Sequence, residues 1–222
     1  MAASGGGFDD AREFWDQRFA APEYIFGTEP NAFLSAQAER FKRGDRVLDV
    51  ACGEGRNSVW LAGLGCEVTG IDVSPLALAK ARRLADSHGV NVEFAEADIR
   101  DWQWQPNRFD AVVCIFIQFA EPSQRTRLFE GIDTALTPGG LLVLQGYTPK
   151  QLEYKTGGPP QADHMYTQAL LREAFRHLDI VHLREHEEVL AEGTKHVGRS
   201  ALIDLVARKP PDPAASGTWV RE

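Results

Sequence analysis

The residues predict an α/β fold: a doubly wound sheet, mostly parallel, with an antiparallel C-terminal strand and an N-terminal helical cap. Three observations carry this. From about residue 46 to residue 147, apolar strand patterns alternate with helical ones (RVLDVA, NSVWLAGLG, CEVTGID, PLALAKARRLADSHG, VEFAEAD, FDAVVCIF, PSQRTRLFEGIDTAL, GGLLVLQGY), the rhythm of parallel strands with helices on both faces. The first three strand patterns end in an acid, Asp49, Asp72 and Asp98, which places three carboxylates along one edge of the sheet. The last two strand patterns, DIVHLREHEEVL and SALIDLVAR, are joined by too short a link for a parallel crossover, so they pair antiparallel.

The cap comes first. DDAREFWDQRFA places Phe14, Trp15 and Phe19 on one helical stripe, and NAFLSAQAERF spaces Leu34, Ala38 and Phe41 as a second helix, with Pro30 and Asn31 as a break and a cap between them. The rhythm changes after Gly44, so residues 8–43 form the cap and 44–208 the core of a single domain spanning 8–208. A long loop from Thr148 to Tyr166 leads to one more helix, TQALLREAFRHL, and the final strands. Residues 1–7 and 209–222 have no periodic pattern and read as flexible tails.

Composition narrows the class of partner. The chain has 222 residues, 43% of them hydrophobic, enough for a full core, with 24 Lys+Arg against 32 Asp+Glu and a net charge of −8. An acidic chain without a basic run is poorly suited to nucleic-acid backbones, which require clustered Lys and Arg. No run approaches the ~18 apolar residues of a membrane span. MAASGGG has neither a basic stretch nor an apolar core, so a cytoplasmic protein is expected, acting on a small molecule. The three cysteines, Cys52, Cys66 and Cys114, form no CxxC pair and are read as packing residues, so no metal is expected.

The chemistry is concentrated in VLDVACGEGRN, residues 47–57. A strand ends near Asp49, the chain turns through Gly53 and Gly55, and a helix starts near Asn57, at the carboxyl edge where open α/β sheets bind ligands. An acid after the second strand, Asp72, can accept hydrogen bonds from both hydroxyls of a ribose, and one after the third, Asp98, can receive an adenine amino group. This layout fits adenosine. A dinucleotide fits less well, because its pyrophosphate would meet the Asp49 carboxylate and Ser58 stands where the third fingerprint glycine would be. The ligand should therefore lack phosphates, and S-adenosylmethionine, with its sulfonium and ammonium charges, meets that demand.

Here the sequence resembles the class I S-adenosylmethionine-dependent methyltransferases: VLDVACGEGRN looks like their first motif, GIDVS their second, AEADI their third and FDAVVCIF their fourth. Within that superfamily the GRN ending and the opening FWDQRF…YIFGTEPNAFL are similar to the tellurite resistance methyltransferases and, more distantly, to the thiopurine methyltransferase group. The resemblance implies a Rossmann-like seven-stranded sheet with a reversed final hairpin, S-adenosyl-L-methionine as cofactor and S-adenosyl-L-homocysteine as product. It also implies that the N-terminal segment closes over the cofactor. The positions it assigns to cofactor binding are Trp15 and Arg18 in the cap, Asp49, Gly53, Gly55 and Asn57 in the first motif, Asp72, Val73 and Ser74 in the second, Asp98 and Ile99 in the third, and Ile115 in the fourth. Ser74 is also well placed to cap the helix that begins at Pro75.

For the acceptor side, Tyr147 ends the fifth strand, and EGTKHVGRS puts Lys195, His196 and Arg199 within five residues, read as a cationic, proton-handling cluster for an anionic acceptor or as ordinary loop charge. Tellurite methyltransferases are similar in placing His and Arg in this region. Tyr147, His196 and Arg199 are thus the catalytic candidates, with a soft anion such as tellurite, selenite or a thiol as the possible acceptor; a hydroxyl or amine acceptor would make His196 or His164 the base. Two other readings stay open: a nicotinamide-dependent oxidoreductase and a non-catalytic S-adenosylmethionine-binding protein. No long apolar helix stripe is left over to indicate an oligomeric state.

Overall fold

The structure, a computed structural model, describes residues 8–212. The expected tails at 1–7 and from 213 onward lie outside the described residues. In chain order the elements begin with α1 (Phe8–Phe19), α2 (Ala32–Ser35) and a 3-10 turn (Ala38–Arg40). The alternating core follows: β1 (Arg46–Val50), α3 (Arg56–Gly63), β2 (Glu67–Asp72), α4 (Pro75–His88), β3 (Glu93–Glu96), β4 (Phe109–Ile115), α5 (Pro122–Ala135) and β5 (Leu136–Tyr147). The chain ends with α6 (Gln151–Tyr154), a 3-10 turn (Ala162–His164), α7 (Gln168–Ala174), β6 (Asp179–Glu192) and β7 (His196–Arg208).

One seven-stranded sheet has the order β3-β2-β1-β4-β5-β7-β6. The neighbours from β3 to β5 are parallel, and β7 runs antiparallel to both β5 and β6. This is the Rossmann-like sheet with a reversed hairpin that the sequence predicts. The central strands read as continuous apolar runs because both faces are covered, and successive side chains point to opposite faces. Leu48, Val50, Val112, Cys114, Leu142 and Leu144 pack on one side with Leu128, Phe129 and Ile132 of α5 and Leu171 of α7. Their neighbours Val47, Ala111, Val113, Leu141 and Val143 pack on the other side with Leu61 of α3 and with Leu34 and Phe41 of the cap.

Beyond α6 and the 3-10 turn that form inside the loop expected from Thr148 to Tyr166, two elements differ from the sequence reading. The second cap helix is divided into α2 and a 3-10 turn, because Leu34 and Phe41 are each drawn into the same core cluster and that packing outweighs a continuous helix. The final hairpin is tighter than expected: β6 extends to Glu192 and β7 begins at His196, so His196 and Arg199 lie on a strand rather than in a link. Lys209 continues the order beyond β7, its Nζ donating to the carbonyl oxygens of Asp133 and Leu136. Among the described residues no helix is long and apolar enough to cross a membrane.

Candidate functional site

The site lies at the carboxyl edge of β1, β2 and β4. After β1 the chain turns through Ala51, Gly53 and Gly55, with φ of 53°, 54° and 86°, and Gly55 caps α3. A Cβ on Gly55 would lie 2.6 Å from the Ala81 Cβ of α4, so this glycine supplies both a left-handed turn and room for a close helix contact. Asp72, at the end of β2, fixes the turn: its Oδ2 accepts from the Gly53 N–H at 2.8 Å and its Oδ1 from the Ser74 N–H at 2.9 Å. Asp49 sits beneath, 1% exposed, with its Oδ2 accepting from the Ser58 hydroxyl at 2.6 Å.

Burial dominates the electrostatics of both acids. Loss of water raises Asp49 to about 7 and Asp72 to about 6, more than their hydrogen bonds lower them. Among the described residues no ion pair reaches either carboxylate, although Arg56 acts on Asp49 from a distance. An adenosine ligand with positive charge fits this donor set: a diol can donate to the free lone pairs of Asp72, a cation would offset the buried negative charge, and the turn exposes backbone rather than side chains.

Asp98 follows β3 but is already engaged, accepting from the backbone N–H of Arg100 at 2.8 Å and pairing with its guanidinium. Clefts of about 280 and 270 Å3 flank it, the first bounded by Ile99, Arg100, Ala120 and Leu128, the second by Glu96, Ala97, Asp98 and Trp102. Ile115 ends β4 and is buried; Val73 is half-buried beside Asp72. Ser74 is fully buried, its hydroxyl accepting from the Ala77 N–H as the cap of α4 and donating to Asp16.

The cap forms a roof. The Phe19 ring lies 3.6 Å from where a Cβ on Gly53 would be, Trp15 stacks on Phe19 at 5.7 Å, and Trp15 meets the edge of Phe119 at 6.1 Å. Arg18 is exposed and lies over the Phe14 and Trp15 rings, 4.4 and 5.4 Å from their centroids, so the structure places it on the outer side of α1. The turn's non-glycine side chains fasten the cap. Glu54 accepts from the Phe26 N–H and pairs with the Lys80 ammonium at 2.7 Å, and the same ammonium donates to the Glu23 carbonyl. Asn57, assigned to the cofactor in the sequence reading, accepts from the Asn31 N–H at 2.9 Å and so anchors the cap.

Next to this roof, β6 and β7 bring in a second cluster. Glu192 Oε1 accepts from the Asn31 side-chain amide at 3.0 Å, and its Oε2 pairs with the Arg56 guanidinium at 2.7 Å. His196 Nδ1 lies 3.7 Å from the same Oε2, and its ring packs against Phe26 and Phe116 with centroids 4.6 and 4.4 Å apart. Tyr147 stacks on Phe116 at 4.8 Å, and its hydroxyl is buried without a hydrogen-bond partner among the described residues. Arg199 is three positions beyond His196 on the same strand and therefore on the opposite face. It is exposed there and pairs with Glu187, and Lys195 is exposed in the hairpin turn.

Tyr147 and His196 are thus brought together, and Arg199 is not. The sequence does not single out four of these residues. Phe19 reads as helix packing; Glu54 and Lys80 carry a weak signal, a charged side chain inside a glycine turn and a lysine on an apolar helix stripe. Glu192 carries none, because its partners Arg56 and Asn31 are 136 and 161 residues away.

Residues 47–140 match the model of the family described as a methyltransferase domain. A ubiquinone biosynthesis O-methyltransferase of Xanthomonas euvesicatoria pv. vesicatoria is 37% identical over 102 residues, covering 46% of this chain and 42% of the relative. The chain spans about half the length, or less, of the first curated relatives it matches. Among solved structures, one described for the conversion of a disulfide bond into a thioacetal group during echinomycin biosynthesis aligns with a TM-score of 0.75 at 22% identity, covering 92% of this chain and 94% of that one. The N-methyltransferase NodS of Bradyrhizobium japonicum, in complex with S-adenosyl-L-homocysteine, aligns with a TM-score of 0.69 at 17% identity, covering 90% and 98%. Residues 47–140 therefore match a methyltransferase domain by sequence, and the described chain has the Rossmann-like methyltransferase fold.

Proposed function

We propose that this protein transfers a methyl group from S-adenosylmethionine to a small-molecule acceptor, releasing S-adenosylhomocysteine. The observation that carries this reading is the glycine turn at Gly53 and Gly55, backed by two buried carboxylates, Asp49 and Asp72, that no cation pairs among the described residues and roofed by Phe19 of the cap. Asp72 receives the ribose hydroxyls, the turn's backbone supports the amino-acid portion beside Asp49, and Asp98 with Ile99 frames the adenine. The cofactor supplies an electrophilic methyl carbon on a sulfonium. The protein contributes alignment and exclusion of water, which favour a step in which charge is lost. The net charge of −8 argues for a small acceptor rather than a nucleic acid.

The soft-anion acceptor keeps the resemblance to tellurite methyltransferases as support and loses its cationic cluster, since Arg199 pairs with Glu187 on the opposite face and Lys195 is exposed in the hairpin turn. An O–H acceptor draws support from a different observation, the imidazole and phenol gathered by Phe116.

Calorimetric titration with S-adenosylmethionine, S-adenosylhomocysteine and reduced nicotinamide dinucleotide tests the cofactor assignment. Binding of the first two and not the third is expected. Binding of the dinucleotide alone would replace this reading with the oxidoreductase one.

A further inference from the structure

Phe116 has φ of 57°, a conformation unfavourable for an aromatic residue that a folded protein retains where its surroundings impose it. Here it turns the chain at the end of β4 so that its ring meets both Tyr147 and His196, which also lie 6.1 Å from each other, and the imidazole packs on Phe26 as well. Inside this aromatic cluster are two buried polar atoms without hydrogen bonds among the described residues, the Tyr147 hydroxyl and His196 Nδ1. Tyr147 is 2% exposed. A buried hydroxyl with no hydrogen bond is costly to keep, so the Tyr147 phenol is best explained by a ligand that completes it, whereas His196 Nδ1 already faces the Glu192 carboxylate at 3.7 Å.

The charged groups facing His196 are Glu192 from β6 and Arg56 from α3, with the Tyr147 phenol from β5 as the third titratable neighbour. Burial lowers His196 below its ordinary value; Glu192 works against this and Arg56 with it, and the net effect favours the neutral imidazole. Burial pushes Glu192 up, but His196 and Arg56 together outweigh it and hold the carboxyl down at about 2, so it stays ionised. A carboxylate facing Nδ1 selects the tautomer with its proton on Nδ1 and a bare Nε2. Among the described residues no hydrogen bond reaches Nε2.

We propose that Glu192 is a positioning residue that presents His196 Nε2 as a proton acceptor, and that the acceptor is a neutral molecule carrying an ionisable O–H, bound at Tyr147 and His196. This rests on the methyltransferase reading above. As the acceptor oxygen forms its bond to the methyl carbon, the donor's S–C bond breaks with its electron pair left on sulfur. The acceptor's proton passes to Nε2, and Glu192 balances the imidazolium until that proton is lost to water. Because Glu192 also holds Arg56 of the cofactor turn and Asn31 of the cap, the base is oriented by the same residue that ties the roof in place.

The test uses the full chain and three readouts. Nitrogen-edited imidazole NMR, with His196 assigned from its loss in His196→Gln, is expected to show the Nδ1–H tautomer in the parent and loss of that preference in Glu192→Gln. Tyr147→Phe is expected to unfold at the same temperature or higher, since the removed hydroxyl has no partner, while raising KM for a phenolic acceptor such as catechol. With S-adenosylmethionine and catechol, His196→Gln and Glu192→Gln should each lower kcat by about a hundredfold or more, the usual worth of a general base. An already ionised thiophenolate should lose less than about tenfold, because no proton has to be removed. An Nε2–H tautomer in the parent, an unchanged tautomer in Glu192→Gln, or equal losses with catechol and thiophenolate would overturn the proposal. Should Glu192→Gln fail to fold, the parent's tautomer and the Tyr147→Phe melting temperature decide. Failure to bind S-adenosylmethionine would instead overturn the methyltransferase reading, and the tautomer measurement would stand apart from it.

Discussion

Asp72 Oδ2 accepts a 2.8 Å hydrogen bond from the Gly53 N–H, so the end of β2 holds the turn that follows β1. One carboxylate thereby shapes the backbone of the turn and, in the proposed function, receives the ribose. Asp72→Ala removes both contributions and should weaken S-adenosylmethionine binding by about 1.5–3 kcal/mol, roughly ten- to a hundredfold in Kd by calorimetry, the scale of hydrogen bonds to a charged group. An unchanged Kd would remove Asp72 from the site.

Gly55 and Gly89 separate two costs of replacing a glycine. Both have positive φ, 86° and 65°, but a Cβ on Gly89 meets nothing within 4 Å, whereas one on Gly55 meets the Ala81 Cβ at 2.6 Å. Gly89→Ala should cost about 1–2 kcal/mol of strain alone. Gly55→Ala adds overpacking of about 1–3 kcal/mol and a larger fall in melting temperature. Equal melting temperatures would mean that α3 and α4 yield without cost.

The Glu54–Lys80 pair is 2.7 Å long with side chains 2% and 4% exposed, a buried ion pair beneath the cap. Lys80→Met strands a buried carboxylate and should destabilise by about 3–5 kcal/mol in denaturant unfolding. Glu54→Gln combined with Lys80→Met should recover most of that loss. A double variant as unstable as the single one would show that the lysine's other bond, to the Glu23 carbonyl, carries the effect.

Asp49 and Asp72 set a pH signature. Each is raised from 3.8, to about 7 and about 6, so between about pH 4 and 7 the folded protein holds more protons than the unfolded chain. Stability from these groups is therefore full below pH 4 and falls as pH rises to 7. His196, lowered from 6.5, contributes the opposite slope below pH 6.5 and cancels when variants are compared. Asp49→Asn should thus gain stability relative to the parent as pH rises from 5 to 8 in thermal unfolding. A difference independent of pH would mean that Asp49 is ionised throughout. A cation-bearing cofactor favours the ionised acids, so its affinity should rise over the same window.

Much of the cofactor side was legible in sequence because it is local. Glycines within a few residues of a strand end, and an acid closing each strand, fix their own geometry wherever the sheet forms, and Asp49, Gly53, Gly55 and Asp72 meet at one edge. The acceptor side was legible only in part. His196 and Tyr147 drew notice as residue types, but the partition of His196 from Arg199 depends on where β7 begins, and a strand starting four residues earlier turns a cluster into two faces. Asn31 was legible as a helix cap, but Glu192 was not, because its bonds to Asn31 and Arg56 span more than a hundred residues.

The most direct measurement is S-adenosylhomocysteine formation, followed by mass spectrometry, from S-adenosylmethionine and a panel of phenols, thiols, amines, thiopurines, tellurite and selenite, each against a control without acceptor. The account predicts product above control with at least one acceptor, phenols foremost, and its loss in Asp72→Ala. Cofactor binding without product from any acceptor would contradict transfer to these small molecules, and absence of both binding and product would contradict the assignment of this site to S-adenosylmethionine.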